Sequence, residues 1–124
     1  MVDLNQNSFR SYPNVITNLP EADMPFKDIK AWTLQGETHQ LVFYQMEANA
    51  RIPEHSHEYG EWAMVIEGEI EVTVEGETRN VKKGDEWLTP ARAKHKWTSL
   101  TKSRLMGLFS ERTRYRTKPR NIII

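Results

Sequence analysis

Apolar and polar residues along this chain alternate with a period of two, and no stretch carries the spacing of an amphipathic helix. The clearest case is 69–75, where Glu69, Glu71, Thr73 and Glu75 alternate with Ile70, Val72 and Val74. Successive side chains of a strand point to opposite faces, so this segment predicts a half-buried antiparallel strand with a wet acidic face. Its glutamates are expected to solvate rather than react. Branched and aromatic residues predict further strands over 29–34, 41–46, 61–66, 86–89 and 104–109, with a short return over 78–81. Glycines at 36, 68, 76 and 84 punctuate them as turns, and Pro53 suits the start of a strand or a sheet edge. Short strands at this spacing predict an all-β sandwich or barrel.

The strand over 61–66 breaks the alternation, because both of its faces are apolar apart from Glu61. If Glu61, Ala63 and Val65 face inward, Trp62, Met64 and Ile66 face the other way. That second set needs a cover, and the chain offers three: a second sheet, a homodimer partner, or its own N-terminal arm. Residues 1–25 are the arm, polar and interrupted by Pro13, Pro20 and Pro25. They read as an irregular terminus or as a cover for a barrel end or partner subunit. The barrel domain is placed at 26–112. Residues 113–124 read as a basic C-terminal strand or tail, in which Arg112, Arg114 and Arg116 alternate with Thr113 and Tyr115. A solvated edge is the simpler role for it, and pairing with the acidic strand of a partner the other; Ile122–Ile124 could dock on a neighbour.

Composition narrows the functional classes. The 124 residues suffice for one domain, and 17 basic residues balance 17 acidic ones. No net field therefore points to nucleic acid or to a membrane. There is no cysteine, which removes disulfides and thiolate ligands and fits a reducing compartment. No leader-like or membrane-length apolar run is present in the sequence, so a soluble, cytoplasmic protein is expected.

The candidate chemistry lies in 55–68, His-Ser-His-Glu-Tyr-Gly-Glu-Trp-Ala-Met-Val-Ile-Glu-Gly. Side chains two apart on a strand share a face, so His55 and His57 would present two imidazoles side by side. Glu61 could add a carboxylate after a short bend. Nitrogen and carboxylate donors suit iron, manganese, nickel or zinc. The fourth histidine, His39, stands alone in a turn-like context and is left outside the site. A second segment, Gly84-Asp-Glu-Trp-Leu-Thr-Pro-Ala-Arg-Ala-Lys-His95, sets a glycine, a proline and a histidine at fixed spacing.

These two segments resemble the two motifs of the cupin superfamily. The first follows His-x-His, three residues, Glu, six residues, Gly through Gly68; the second follows the family's Gly, Pro and His at Gly84, Pro90 and His95. Three positions depart: Asn49 stands for a leading glycine, Arg92 for the second motif's inner glycine, and Ser99 for a trailing asparagine. The resemblance implies a single-domain jelly-roll (double-stranded β-helix) barrel around one divalent transition metal. It also implies His55, His57, Glu61 and His95 as the metal ligands. Tyr44, Met46 and Trp97 are candidate pocket walls, Trp97 because it shares strand parity with His95.

Four ligands around tetrahedral zinc would close the shell, whereas an octahedral ion would keep two positions open for a small molecule. Three functions stay open at this point. One is a metal-dependent enzyme of oxygenase or isomerase type acting on a small molecule. The others are a non-catalytic small-molecule binding or sensing module, and a barrel with a purely structural metal. Fold analogy does not choose among them.

Overall fold

The computed structural model describes residues 10–119. In chain order these form a helical turn α1 (Asn14–Thr17) and the strands β1 (Ile29–Gln35), β2 (Gln40–Met46), β3 (Arg51–His55), β4 (Glu61–Glu67), β5 (Glu69–Val74), β6 (Glu77–Lys82), β7 (Glu86–Thr89), β8 (His95–Ser99) and β9 (Ser103–Phe109). One sheet has the order β1-β2-β9-β4-β7 and the other β3-β8-β5-β6. Every named pairing is antiparallel. From β2 onward the chain crosses repeatedly between the sheets, staying within one only at β5–β6; this is the all-β sandwich the alternation predicts and the jelly roll the resemblance implies.

The inward faces of both sheets meet in one apolar cluster. Val42, Tyr44, Ala63, Val65 and Leu105 come from the larger sheet, and Ile70, Val72, Val81 and Trp97 from the smaller. Burying one such branched or aromatic side chain contributes about 1.5–3 kcal/mol, so this face dominates the stability of the barrel.

Turn chemistry explains the corners. The β5–β6 hairpin turns on Glu75 and Gly76 at φ 49° and 80°, both in the left-handed region that a two-residue primed turn requires. Gly68 turns the chain in a different way. It joins strands of different sheets rather than closing a hairpin, at φ 97°. A Cβ there would collide with Ser103 and come within 2.7 Å of the Lys102 carbonyl oxygen, so only glycine lets the chain cross at that point.

Two elements depart from the sequence reading. α1 follows Pro13 and is a single turn, too short to leave a helical period. The expected extended strand over 112–116 is a series of turns and bends; only Thr117 makes a β-bridge, to Ala22. The described arm lies on the barrel: the Tyr12 hydroxyl donates to the carbonyls of Tyr44 and Leu105, and its ring meets Trp32 and Phe43 edge-on.

Trp62, Met64 and Ile66 are half-buried on the outward face, opposite in parity to Glu61, Ala63 and Val65. Strand register extends the outer row across the whole sheet as Leu34, Leu41, Leu108, Trp62 and Leu88. Leu34, Leu88 and Leu108 in that row are exposed. Tyr12 covers the neighbouring row at Trp32 and Phe43 instead.

Candidate metal centre

The site forms where the end rows of the two sheets face each other. Register places Gln40, Phe109, Glu61 and Thr89 in one row of the larger sheet, all buried. Across from them, His55 pairs with His95 in the smaller sheet. β3 stops at His55, so His57 sits just beyond it in a loop rather than on the strand. The expected side-by-side strand pair is therefore replaced by a strand end and a loop. The loop still delivers the second imidazole: the ring centroids of His55 and His57 are 5.5 Å apart, and those of His55 and His95 4.2 Å. Donor atoms of all three histidines fall within 4.8 Å of one another.

Both departures at the motifs' glycine positions keep the backbone conformation that glycine favours. Asn49 has φ 70° and Arg92 φ 68°. The backbone N–H at this position makes a bond that glycine could also make, and the Arg92 side chain adds a second. The N–H donates to the His57 carbonyl at 2.7 Å and Nε donates to Glu58 Oε2 at 2.8 Å, tying the second motif's turn to the His57 loop.

Hydrogen bonding fixes which nitrogen of each histidine faces inward. Nδ1 of His55 lies 2.9 Å from the Pro53 carbonyl, Nδ1 of His57 2.6 Å from that of Tyr59, and Nδ1 of His95 2.8 Å from that of Ala93. A carbonyl only accepts, so each Nδ1 carries a proton and Nε2 is the nitrogen each ring has available to a metal. Backbone carbonyls holding the outer nitrogen are the usual support for metal-binding histidines.

Glu61 closes the group. Its Oε1 lies 3.1 Å from His57 Nε2 and 2.8 Å from His95 Nε2. The His95 contact is short but lacks hydrogen-bond direction, and His95 Nε2 is buried without a hydrogen-bond partner. A buried, unsatisfied lone pair next to a carboxylate is costly unless a cation or proton lies between them. That atom is where the residues present fit a metal ion.

The ionisable groups respond to the same packing. Burial pushes the Glu61 carboxyl up, but the imidazoles of His57 and His95 beside it outweigh burial and hold the carboxyl below its ordinary range. Burial lowers His55, and the neighbouring His95, Arg114 and His57 lower it further against the Pro53 carbonyl, leaving it below the usual imidazole value. Burial opposes protonation of His95 as well, yet Glu61 and the Ala93 carbonyl raise it. Tyr44 and Tyr115 are raised, first by burial, and stay neutral phenols.

A cavity of about 10 Å³ lies against His55, Glu61 and His95, the space of roughly one water-sized sphere. Tyr44 and Trp97 line it, with their rings 5.3 Å apart and edge-on. Met46 does not line it; two residues past Tyr44, it is buried in the core. His39 is exposed and bonded to Thr38, away from the cluster.

Sequence reasoning missed the contribution of the C-terminal segment. Arg114 and Tyr115 line the same cavity, together with Ile52 and Phe109. The Tyr44 hydroxyl donates to that of Tyr115 at 2.9 Å. Gln40, fully buried, holds the Tyr115 peptide from both sides: its Nε2 donates to the carbonyl at 3.0 Å and its Oε1 accepts from the N–H at 2.9 Å. The one available signal was an amide at the start of an otherwise apolar strand, a polar group that burial obliges to find partners.

Outside the cavity a cleft of about 320 Å³ begins at His55, Arg114 and Tyr115 and runs between Phe26 and Pro53. No helix among the described residues is long and apolar enough to cross a membrane.

Comparison with known proteins agrees with this fold. A family model described as "Cupin domain" matches residues 42–110. At the level of sequence, no curated protein matches. Among solved structures, an RmlC-like cupin from Shewanella frigidimarina is similar at TM-score 0.72 and 22% identity, over 78% of this chain and 88% of that one. KdgF from Halomonas sp. is similar at TM-score 0.69 and 26% identity, over 73% and 87%. A single-substitution variant of oxalate decarboxylase from Bacillus subtilis is similar at TM-score 0.68 and 20% identity, over 79% of this chain and 29% of that one.

Proposed function

The chain belongs to the cupin family, and from that premise we propose that it is a metal-dependent enzyme acting on a small molecule. His55, His57, His95 and Glu61 are the proposed ligands of one divalent transition metal. The observation that carries this reading is the common support of the three imidazoles. Each gives Nδ1–H to a backbone carbonyl, which leaves Nε2 as the nitrogen available to a metal; those of His57 and His95 lie beside the Glu61 carboxylate, and that of His95 is left unsatisfied.

Three imidazoles and a carboxylate suit iron, manganese, nickel or zinc. A six-coordinate ion held this way would supply open positions for a small molecule and a Lewis acid or redox centre beside it. The chain's own residues do the rest. The cleft admits the small molecule, Tyr44, Trp97 and Phe109 exclude water, and neutral tyrosines offer donors rather than bases. Glu61 is the one carboxylate lining the inner cavity and is engaged by histidines, which favours oxygenase-type over isomerase-type chemistry. A structural site is the second reading, favoured by the single-sphere size of the inner cavity.

Elemental analysis of protein prepared without a histidine tag tests the site. One transition metal per chain is expected, with most of it lost in His57→Ala. Full metal in that variant would refute the ligand assignment. Four-coordinate zinc in the wild type would support the structural reading.

A further inference from the structure

We propose that Arg114 is the anion-binding residue of this site, and that the small molecule bound there is a carboxylic acid with an apolar body. The proposal rests on the metal reading above for the position of the ligand and part of the site's positive charge, and on Arg114 for the donors that recognise a carboxylate.

Arg114 is half-buried at the junction of the inner cavity and the outer cleft, and it lines both. Its guanidinium carbon lies 5.5 Å from the centre of the Phe109 ring and 4.7 Å from that of Tyr115. One terminal nitrogen is 3.3 Å from His55 Nε2, and the Tyr59 hydroxyl is within reach of the group. None of these neighbours is an anion. Its Nε is buried with no hydrogen-bond partner at all. Among the described residues no carboxylate lies within ion-pairing distance of it. Glu61 is turned to the histidines, and Glu54, also on the cleft, is exposed.

A guanidinium is always charged and carries five N–H donors, so burying it without an acceptor is expensive. Here the expense is built in rather than accidental. Gln40 grips the next peptide from both sides. Further along, the Asp23 N–H donates to the Arg116 carbonyl at 2.7 Å, and the Lys118 N–H to the Glu21 carbonyl at 2.8 Å. These bonds hold the segment where the side chain must enter the site. Of the neutral acceptors within its reach, the Tyr59 hydroxyl and His55 Nε2, the second is the lone pair that a metal would take. Once the metal is bound, that N–H is released towards the cleft and needs a new acceptor.

The charge balance indicates which acceptor. A divalent ion, three neutral imidazoles, one carboxylate and one guanidinium sum to two positive charges in an enclosure of aromatic rings. An anion is therefore favoured over a neutral molecule. Carboxylate geometry matches the guanidinium fork. The cleft supplies the rest of the recognition: Pro25, Phe26, Ile52 and Pro53 make its walls apolar, and about 320 Å³ accommodates a ring or a branched chain.

Benzoate and its neutral isostere benzamide separate charge from shape. Calorimetric titration of zinc-loaded wild type is expected to give benzoate a Kd on the order of 10–100-fold lower than benzamide, the range for a charge-assisted pair. Arg114→Met should erase that preference while metal content and the thermal transition stay at wild-type values. Arg114→Lys, which keeps the charge but loses the fork, should restore part of it. A benzoate preference that survives in Arg114→Met overturns the proposal, as does a wild type that binds both probes equally. If Arg114→Met does not fold, Arg114→Lys decides alone, since an undiminished preference there contradicts fork recognition. Metal stoichiometry, measured on the same samples, reports separately on the metal reading. A wild type that takes up no metal yet prefers benzoate would refute the metal and leave the anion site standing.

Discussion

Replacing Gln40 by methionine tests how the C-terminal segment is held over the site. The two side chains are similar in volume, so the core is not emptied, but both hydrogen bonds to the Tyr115 peptide are lost. If the segment stayed in place, two buried peptide groups would be orphaned, at about 1–3 kcal/mol each. The segment has another route, which is to lift off. That gives up the Tyr44–Tyr115 hydroxyl bond, about 0.5–1.5 kcal/mol, and the edge-on contacts of Tyr115 with Tyr44 and Phe109, both at 6.0 Å, about 0.5–1.5 kcal/mol apiece. The cheaper route sets the ceiling. Global stability in denaturant should therefore fall by no more than about 4.5 kcal/mol. The loss should also be local, so amide exchange at Tyr115 should accelerate at least about tenfold, while Val42, Val65 and Leu105 in the core strands keep their order of protection. Unchanged exchange at Tyr115 would refute the claim that Gln40 holds the segment. Equal loss of protection across the barrel would refute the claim that the segment opens on its own.

Two further outcomes follow from the same geometry. In metal-free protein the raised His95 stabilises the fold below its ordinary value, and that contribution is lost as pH rises through the higher folded value. The melting-temperature difference between metal-free wild type and His95→Gln should thus be larger at about pH 5.5 than at about pH 9, and equal differences would contradict the assignment. The row Leu34, Leu41, Leu108, Trp62 and Leu88 is proposed as a homodimer face; light scattering should give wild type twice the 14.6 kDa chain mass and Trp62→Glu the single mass, and a monomeric wild type would end that proposal.

What the sequence disclosed was whatever its local patterns carry. Strand periodicity marked the barrel, because a buried face imposes a period of two on each strand by itself. The two motifs named all three converging histidines and Glu61, because spacing within a motif survives folding. Even the departures were readable in principle: Asn49 and Arg92 adopt the positive φ that glycine favours. Arg114 and Gln40 were hidden for a different reason. Arg114 meets His55 across 59 residues and Gln40 meets Tyr115 across 75, with no repeat or spacing to announce either contact. An arginine among other arginines reads as solvated charge, and only the turn over 111–115 brings this one inside.

The central claim is that three imidazoles converge on one ion, and counting them tests it most directly. X-ray absorption at the edge of the metal that co-purifies with the protein resolves imidazole nitrogens by their scattering pattern. The account predicts three imidazoles per metal, at about 2.0–2.1 Å for zinc, with an oxygen donor beside them, and two imidazoles in His57→Ala for whatever metal remains. A wild-type spectrum with one imidazole or none would contradict it.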